Sequence, residues 1–191
     1  MAKPDLLPAG AGALVRPASE ARFAAETWLL GALRDDTVGR AHREWRRLGA
    51  IVLPLGELFS AVRLPQTLVN AIAHTAGPIG DLEAVDEVLR EALDEAPVIC
   101  DTRYGRWYVL VPPSMPTAWS VAAEEWAASD IEVLGHGTCL GVPPTTATTY
   151  DDRTGAGYWS VPVGRPGELC SPLLLARMIA AGVRRIAGGE S

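Results

Sequence analysis

The chain has 191 residues, 48% hydrophobic and 21% charged, with a net charge of −6. That suffices for one packed domain and is too apolar for a disordered chain or a coiled coil. The acidic balance, with Lys3 the only lysine, argues against a strong non-specific nucleic-acid binder, because such binding runs on clustered lysine and arginine.

Residues 1–18 are rich in Ala, Gly and Pro and predict a flexible tail before a single domain over 19–186, with 187–191 frayed. Ser19 is the expected cap of a helix over Glu20–Leu33, with Phe23, Thr27 or Trp28, Leu30 and Leu33 as a rough apolar stripe. Asp35-Asp36-Thr37 breaks that helix. Thr37 then caps a second one, Val38–Leu48, which Gly49 stops. Val38, Ala41, Trp45 and Leu48 share its apolar face. Arg40, Arg43, Arg46 and Arg47, with His42 nearby, make the only concentrated basic surface in the sequence, with Glu44 as a local partner.

Ala50–Leu55 reads as a buried strand and Leu58–Leu64 as a second, with Gly56 in the turn between them. Gln66–Thr75 predicts a short helix with Leu68, Val69 and Ile72 inward, and Gly77–Gly80 a turn. Asp81 caps a strongly amphipathic helix, Leu82–Glu95, whose core face is Leu82, Val85, Val88, Leu89 and Leu93. Its other face holds Glu83, Asp86, Glu87, Glu91 and Asp94 and reads as solvated rather than as a metal site.

Val98–Asp101 and Arg106–Val111, joined by a turn at Tyr104-Gly105, carry the strongest strand signal in the chain. Prolines bound the hairpin on both sides, and it is the expected centre of any functional face. Met115–Ser129 reads as a loop plus a short helix. Ile131–Leu134 and Thr138–Val142 are short strands around Gly135-His136-Gly137, and Tyr158–Val163 is a last, edge strand. Ser171-Pro172 opens a final helix, Leu173–Ala181, ended by Gly182. The order predicts an α+β fold, mainly an antiparallel sheet with flanking helices packed on one side.

No phosphate loop, dinucleotide fingerprint, zincin helix or nucleophile elbow is present. The three cysteines lack any Cys-x-x-Cys spacing and fit free thiols in a reducing cytoplasm. No apolar run is long enough for a signal peptide or membrane span, so a membrane partner is not expected. A zinc set of His136, Cys139, Cys100 and Cys170 lacks the paired close ligands of structural zinc, and Cys139 in a strand is more simply a small core residue. Asp101, with the Asp151-Asp152 pair, would be the carboxylates of a two-metal site; the plainer reading is a turn residue and a solvated loop pair. Trp107 and Tyr108 alternate across one strand, so one of them faces out and offers a stacking surface.

The segment Ile131–Pro144, with Gly135-His136-Gly137 and Pro143-Pro144, followed by Thr154-Gly155-Ala156-Gly157-Tyr158-Trp159, resembles part of the bifunctional DNA primase/polymerase (prim-pol) N-terminal domain. Thr102–Tyr108 is similar to that family's Thr-x-Ser-Gly-Gly-x-His hairpin, and Trp45–Leu55 to its opening helix, glycine, strand and proline. The segments come in the family's order over roughly residues 38–165. The resemblance implies a prim-pol-like fold. It also implies paired acids holding two metal ions and a Ser-x-His that meets a triphosphate. Here no such acidic pair precedes the hairpin in a strand, and Tyr104 and Trp107 stand near the serine and histidine positions.

The expectation is therefore a prim-pol-like binding or accessory protein without the usual catalytic residues. Arg40, Arg43, Arg47, Arg103 and Arg106 would meet phosphates, and Trp107 or Tyr108 would stack, with single-stranded nucleic acid or a nucleotide as the ligand. One alternative is an active primase–polymerase using Asp101, Asp151 and His136 with Mg or Mn. Another is an interaction module, a homodimer or adaptor, with exposed aromatics at its interface.

Overall fold

The computed structural model describes residues 18–76 and 81–189. In chain order these form α1 (Ala18–Leu30), α2 (Asp35–Leu48), β1 (Ile51–Pro54), β2 (Ser60–Pro65), α3 (Gln66–Ala73), α4 (Leu82–Ala92), β3 (Val98–Asp101) and β4 (Arg106–Val111). They continue with α5 (Met115–Ala118), α6 (Ser120–Ala127), β5 (Glu132–Leu134), β6 (Cys139–Val142), β7 (Tyr158–Val161) and α7 (Pro172–Gly189). The fold is α+β, with two antiparallel sheets. The expected tail and the Gly77–Gly80 turn lie outside the described residues. Among the described residues no helix is long and apolar enough to cross a membrane.

Five strands lie in the order β5-β2-β4-β3-β7, with the predicted hairpin at the centre and β7 at an edge. Within the hairpin, Cys100 pairs with Trp107 and Ile99 with Tyr108. β1 does not join β2 across Gly56. It pairs with β6 in a separate two-stranded sheet, Ile51 opposite Val142 and Leu53 opposite Leu140. The reason lies in the burial of β1. Ile51 and Leu53 are buried while Val52 is 67% exposed, so this strand has one core face and not the two expected of a buried run.

Pleating divides the core in two. Val62, Leu64, Trp107, Val109, Val98 and Tyr158 pack against α3, α4 and α7 through Leu68, Leu89 and Leu175. Ala61, Leu110, Ile99 and Trp159, on the other face, pack against α1, α2 and the small sheet through Leu29, Trp45 and Leu53. Helices therefore cover both faces, not one. Trp45 Nε1 donates to the Val142 carbonyl at 3.0 Å and Trp159 Nε1 to the Pro143 carbonyl at 3.1 Å, tying α2 and β7 to the end of β6.

Several local expectations hold and others shift. Asp81 caps α4 by accepting from the Ala84 N–H at 3.1 Å, and Gly49 ends α2 in the left-handed region. Helix α2 begins earlier than predicted, at Asp35, and Thr37 lies inside its first turn with its hydroxyl on the Arg34 carbonyl. In α1 the buried residues are Ala25, Leu29 and Leu30, whereas Phe23 is exposed. Gly182 does not end the last helix, which runs on to Gly189 through part of the expected frayed end. A Cβ at Gly182 would stand 2.6 Å from Leu68 Cδ1 and 2.9 Å from Ile72 Cγ1, so glycine is there for close approach of α7 to α3.

Candidate binding cleft

The two-stranded sheet covers only part of the large one. Between them lies a cleft of about 470 Å³. Its floor is the β2-β4-β3 face, where register sets Arg63 opposite Tyr108 and Tyr108 opposite Ile99. Arg103 and Tyr104 reach it from the hairpin turn. Leu48–Ala50 at the end of α2, Cys139–Gly141 on β6 and Gly155–Gly157 complete the walls.

Arg63 is held by the far edge of the sheet. Its guanidinium donates to Glu132 at 2.8 Å and to Asp130 at 3.4 Å, and Asp130 also takes Arg106 at 2.6 Å. Asp130 has a positive φ of 56°, a conformation that Asp tolerates better than most residues. The Arg63 Nε is buried and has no hydrogen-bond partner among the described residues. Arg103 is exposed and makes no ion pair or side-chain hydrogen bond to another described residue. Asp101 is the one carboxylate among the lining residues. Burial, with the Asp101 carboxylate beside it, pushes the Tyr108 phenol above its ordinary value.

Of the residues singled out from sequence, Asp101, Arg103 and Tyr108 converge on this cleft. Trp107 does not: it is 2% exposed in the opposite core, with no partner for its indole N–H among the described residues, and has no face free for stacking. Arg106 shares the sheet face with Tyr108 but is engaged by Asp130. Arg40 is paired with Glu44 at 2.6 Å, and Arg43 and Arg47 are exposed on α2 outside the cleft lining. His136 is exposed in the turn before β6 and does not line the cleft.

The remaining metal candidates are dispersed. Asp151 turns to Arg153 of its own loop, whose hydrogen bonds hold the Asp151 carboxyl below the usual range. Cys100 and Cys170 are buried free thiols, whereas Cys139 is exposed at the cleft and not the core residue its strand predicts. Burial pushes Cys170 up to about 12. No group of three His, Cys, Asp or Glu able to hold a metal occurs among the described residues.

Sequence reading misses Asp130 and Glu132, the acids that engage Arg63 of the cleft and the neighbouring Arg106; the only local signal is the Ser129-Asp130 turn before a strand. It also places Asp86 on a solvated face. Asp86 is instead half-buried and accepts from Tyr158 and Ser160.

Neither a family model, nor a curated protein, nor a solved structure matches this chain.

Proposed function

We propose that this chain is a prim-pol-like binding protein that takes single-stranded nucleic acid or a nucleotide in the cleft and does not catalyse. The observation that carries the reading is a combination at one cleft: the partly buried Tyr108 ring on the sheet face and, at the hairpin turn, the exposed Arg103, which makes no ion pair to another described residue. A base has a ring to stack on, and a phosphate or carbonyl has donors to meet. A volume of about 470 Å³ is in the range of small-ligand sites. The resemblance places the same hairpin at the nucleotide-handling centre of prim-pol enzymes. On β2 the residues on the cleft face are Ala61 and Arg63, so that strand offers no carboxylate to a pair of metal ions.

The test is fluorescence anisotropy with labelled single-stranded oligonucleotides and a labelled nucleoside triphosphate across a salt series. Binding at low salt that weakens on Tyr108→Ala and Arg103→Gln is expected. No binding at low salt, or binding indifferent to both substitutions, overturns the reading. Nucleotide incorporation with Mg or Mn that is lost on Asp101→Ala would overturn its non-catalytic part.

The interaction-module reading is favoured by one observation. Val52 and Leu48 are 67% and 62% exposed, and Gly141 and Cys139, opposite Val52 and Pro54 across the small sheet, are also exposed. Concentration-dependent dimerisation in sedimentation, abolished by Val52→Lys, would support it; a monomer at all concentrations argues against a homodimer.

A further inference from the structure

On the closed face of the large sheet, one carboxylate joins a helix to an edge strand. Asp86 projects from α4, and the Tyr158 hydroxyl donates to both of its oxygens at 3.1 Å each. The Ser160 hydroxyl donates to Oδ1. The β3–β7 register slips here, pairing Val98 with Val161 and Ile99 with Trp159 and leaving Ser160 as the extra residue. Among the described residues, every side-chain hydrogen bond from α4 to the sheet falls on Asp86. A groove of about 860 Å³ opens over Asp86 and Tyr158 and gives water a path to the carboxylate.

Two hydroxyls aimed at one carboxylate make a junction that one proton changes. Ionised, the carboxylate accepts from both. Protonated, it gives up one acceptor position and becomes a donor, but no longer carries a desolvated charge. We propose that Asp86 is a proton-operated latch that holds α4 against the edge strand β7.

The charged and titratable groups around it are Glu83 and Arg90 on α4, Cys100 on β3 and Tyr158 on β7, with Asp81, Glu87 and Tyr150 in the same groove. Desolvation lifts Asp86 to about 6; the Ser160 and Tyr158 hydroxyls and Arg90 oppose the rise and Glu83 adds to it. A freely solvated Asp titrates near 3.9, so the latched state binds more protons than the open one. The stabilising contribution is therefore full below the ordinary carboxylate range and is lost as pH rises through about 6. This is opposite in sign to ordinary acid denaturation. Because β7 begins where the Gly155–Gly157 wall of the cleft ends, release of the latch loosens that wall too.

The test is hydrogen exchange of residues 82–92 and 155–161, corrected for intrinsic rates, from about pH 5 to 8, with carboxyl NMR titration of Asp86. The result expected for the wild-type chain is protection of both segments that falls as pH rises through about 6, with Asp86 titrating in that range. D86N removes the pH dependence of protection. S160A, which deletes a donor to the ionised form, moves the Asp86 midpoint upward. Should D86N fail to fold, the wild-type and S160A titrations still decide. An Asp86 midpoint in the ordinary carboxylate range, or the same pH slope of protection in wild type and D86N, overturns the proposal.

Discussion

Trp107 and Tyr108 are neighbours in sequence and inhabit different environments. Trp107 points into the face of the five-stranded sheet that α3, α4 and α7 close over, and is 2% exposed. Tyr108 points to the other face, where a two-stranded sheet covers Leu110 and Trp159 but leaves a cleft over Tyr108, Arg63 and Asp101. The closed face is mostly apolar packing, interrupted at the α4–β7 edge by the Asp86 cluster and the groove over it. The open face keeps arginines, a phenol and a carboxylate within reach of water. Stability should therefore reside mostly on the first face and ligand recognition on the second. A period of two in side-chain direction is what separates them.

The strongest way to break this contrast is Trp107→Ala. It should cost about 3–5 kcal/mol in urea unfolding, as truncation of a buried aromatic does, against about 1 kcal/mol for Tyr108→Ala. Equal costs would mean that the two faces are not differently packed. Gly182→Val on the closed face should cost about 1–3 kcal/mol by forcing Leu68 and Ile72 aside. Gly188→Ala in the same helix, where a Cβ meets nothing within 4 Å, should be neutral or stabilising by up to about 1 kcal/mol. On the open face, Tyr108→Ala should weaken oligonucleotide binding by about 1–3 kcal/mol if one base stacks there. The smallest effect is that of Arg103→Gln. Stability should stay within about 0.5 kcal/mol, while the slope of log affinity against log salt flattens by about 0.7, the share of one phosphate on a single strand. An unchanged slope would remove Arg103 from the binding surface.

Much of this was legible before any coordinates. The hairpin boundaries follow from prolines and β-branched runs, the α4 cap from Asp81, and the inward set Leu68, Val69 and Ile72 from helical spacing. Asp101, Arg103 and Tyr108 also stand out, since the hairpin is the evident centre of the sheet. Other features were not. Gly182 reads as a helix stop because sequence carries no information on how closely a second helix approaches. Asp86 reads as one more acid on a solvated face because its partners, Tyr158 and Ser160, are more than 70 residues away.

Local preference and periodicity, then, determined where the elements are, that they make an α+β fold, and that one of Trp107 and Tyr108 must face away from the other. Only the tertiary structure decided which of the two is buried. It also sent β1 to β6 and away from β2, opened the cleft between the two sheets, and turned Arg106 to Asp130. The physical reason is that strand pairing and ion pairing join residues far apart in the chain. Their choice depends on which arrangement buries both apolar faces at once, a condition that no local stretch of sequence expresses.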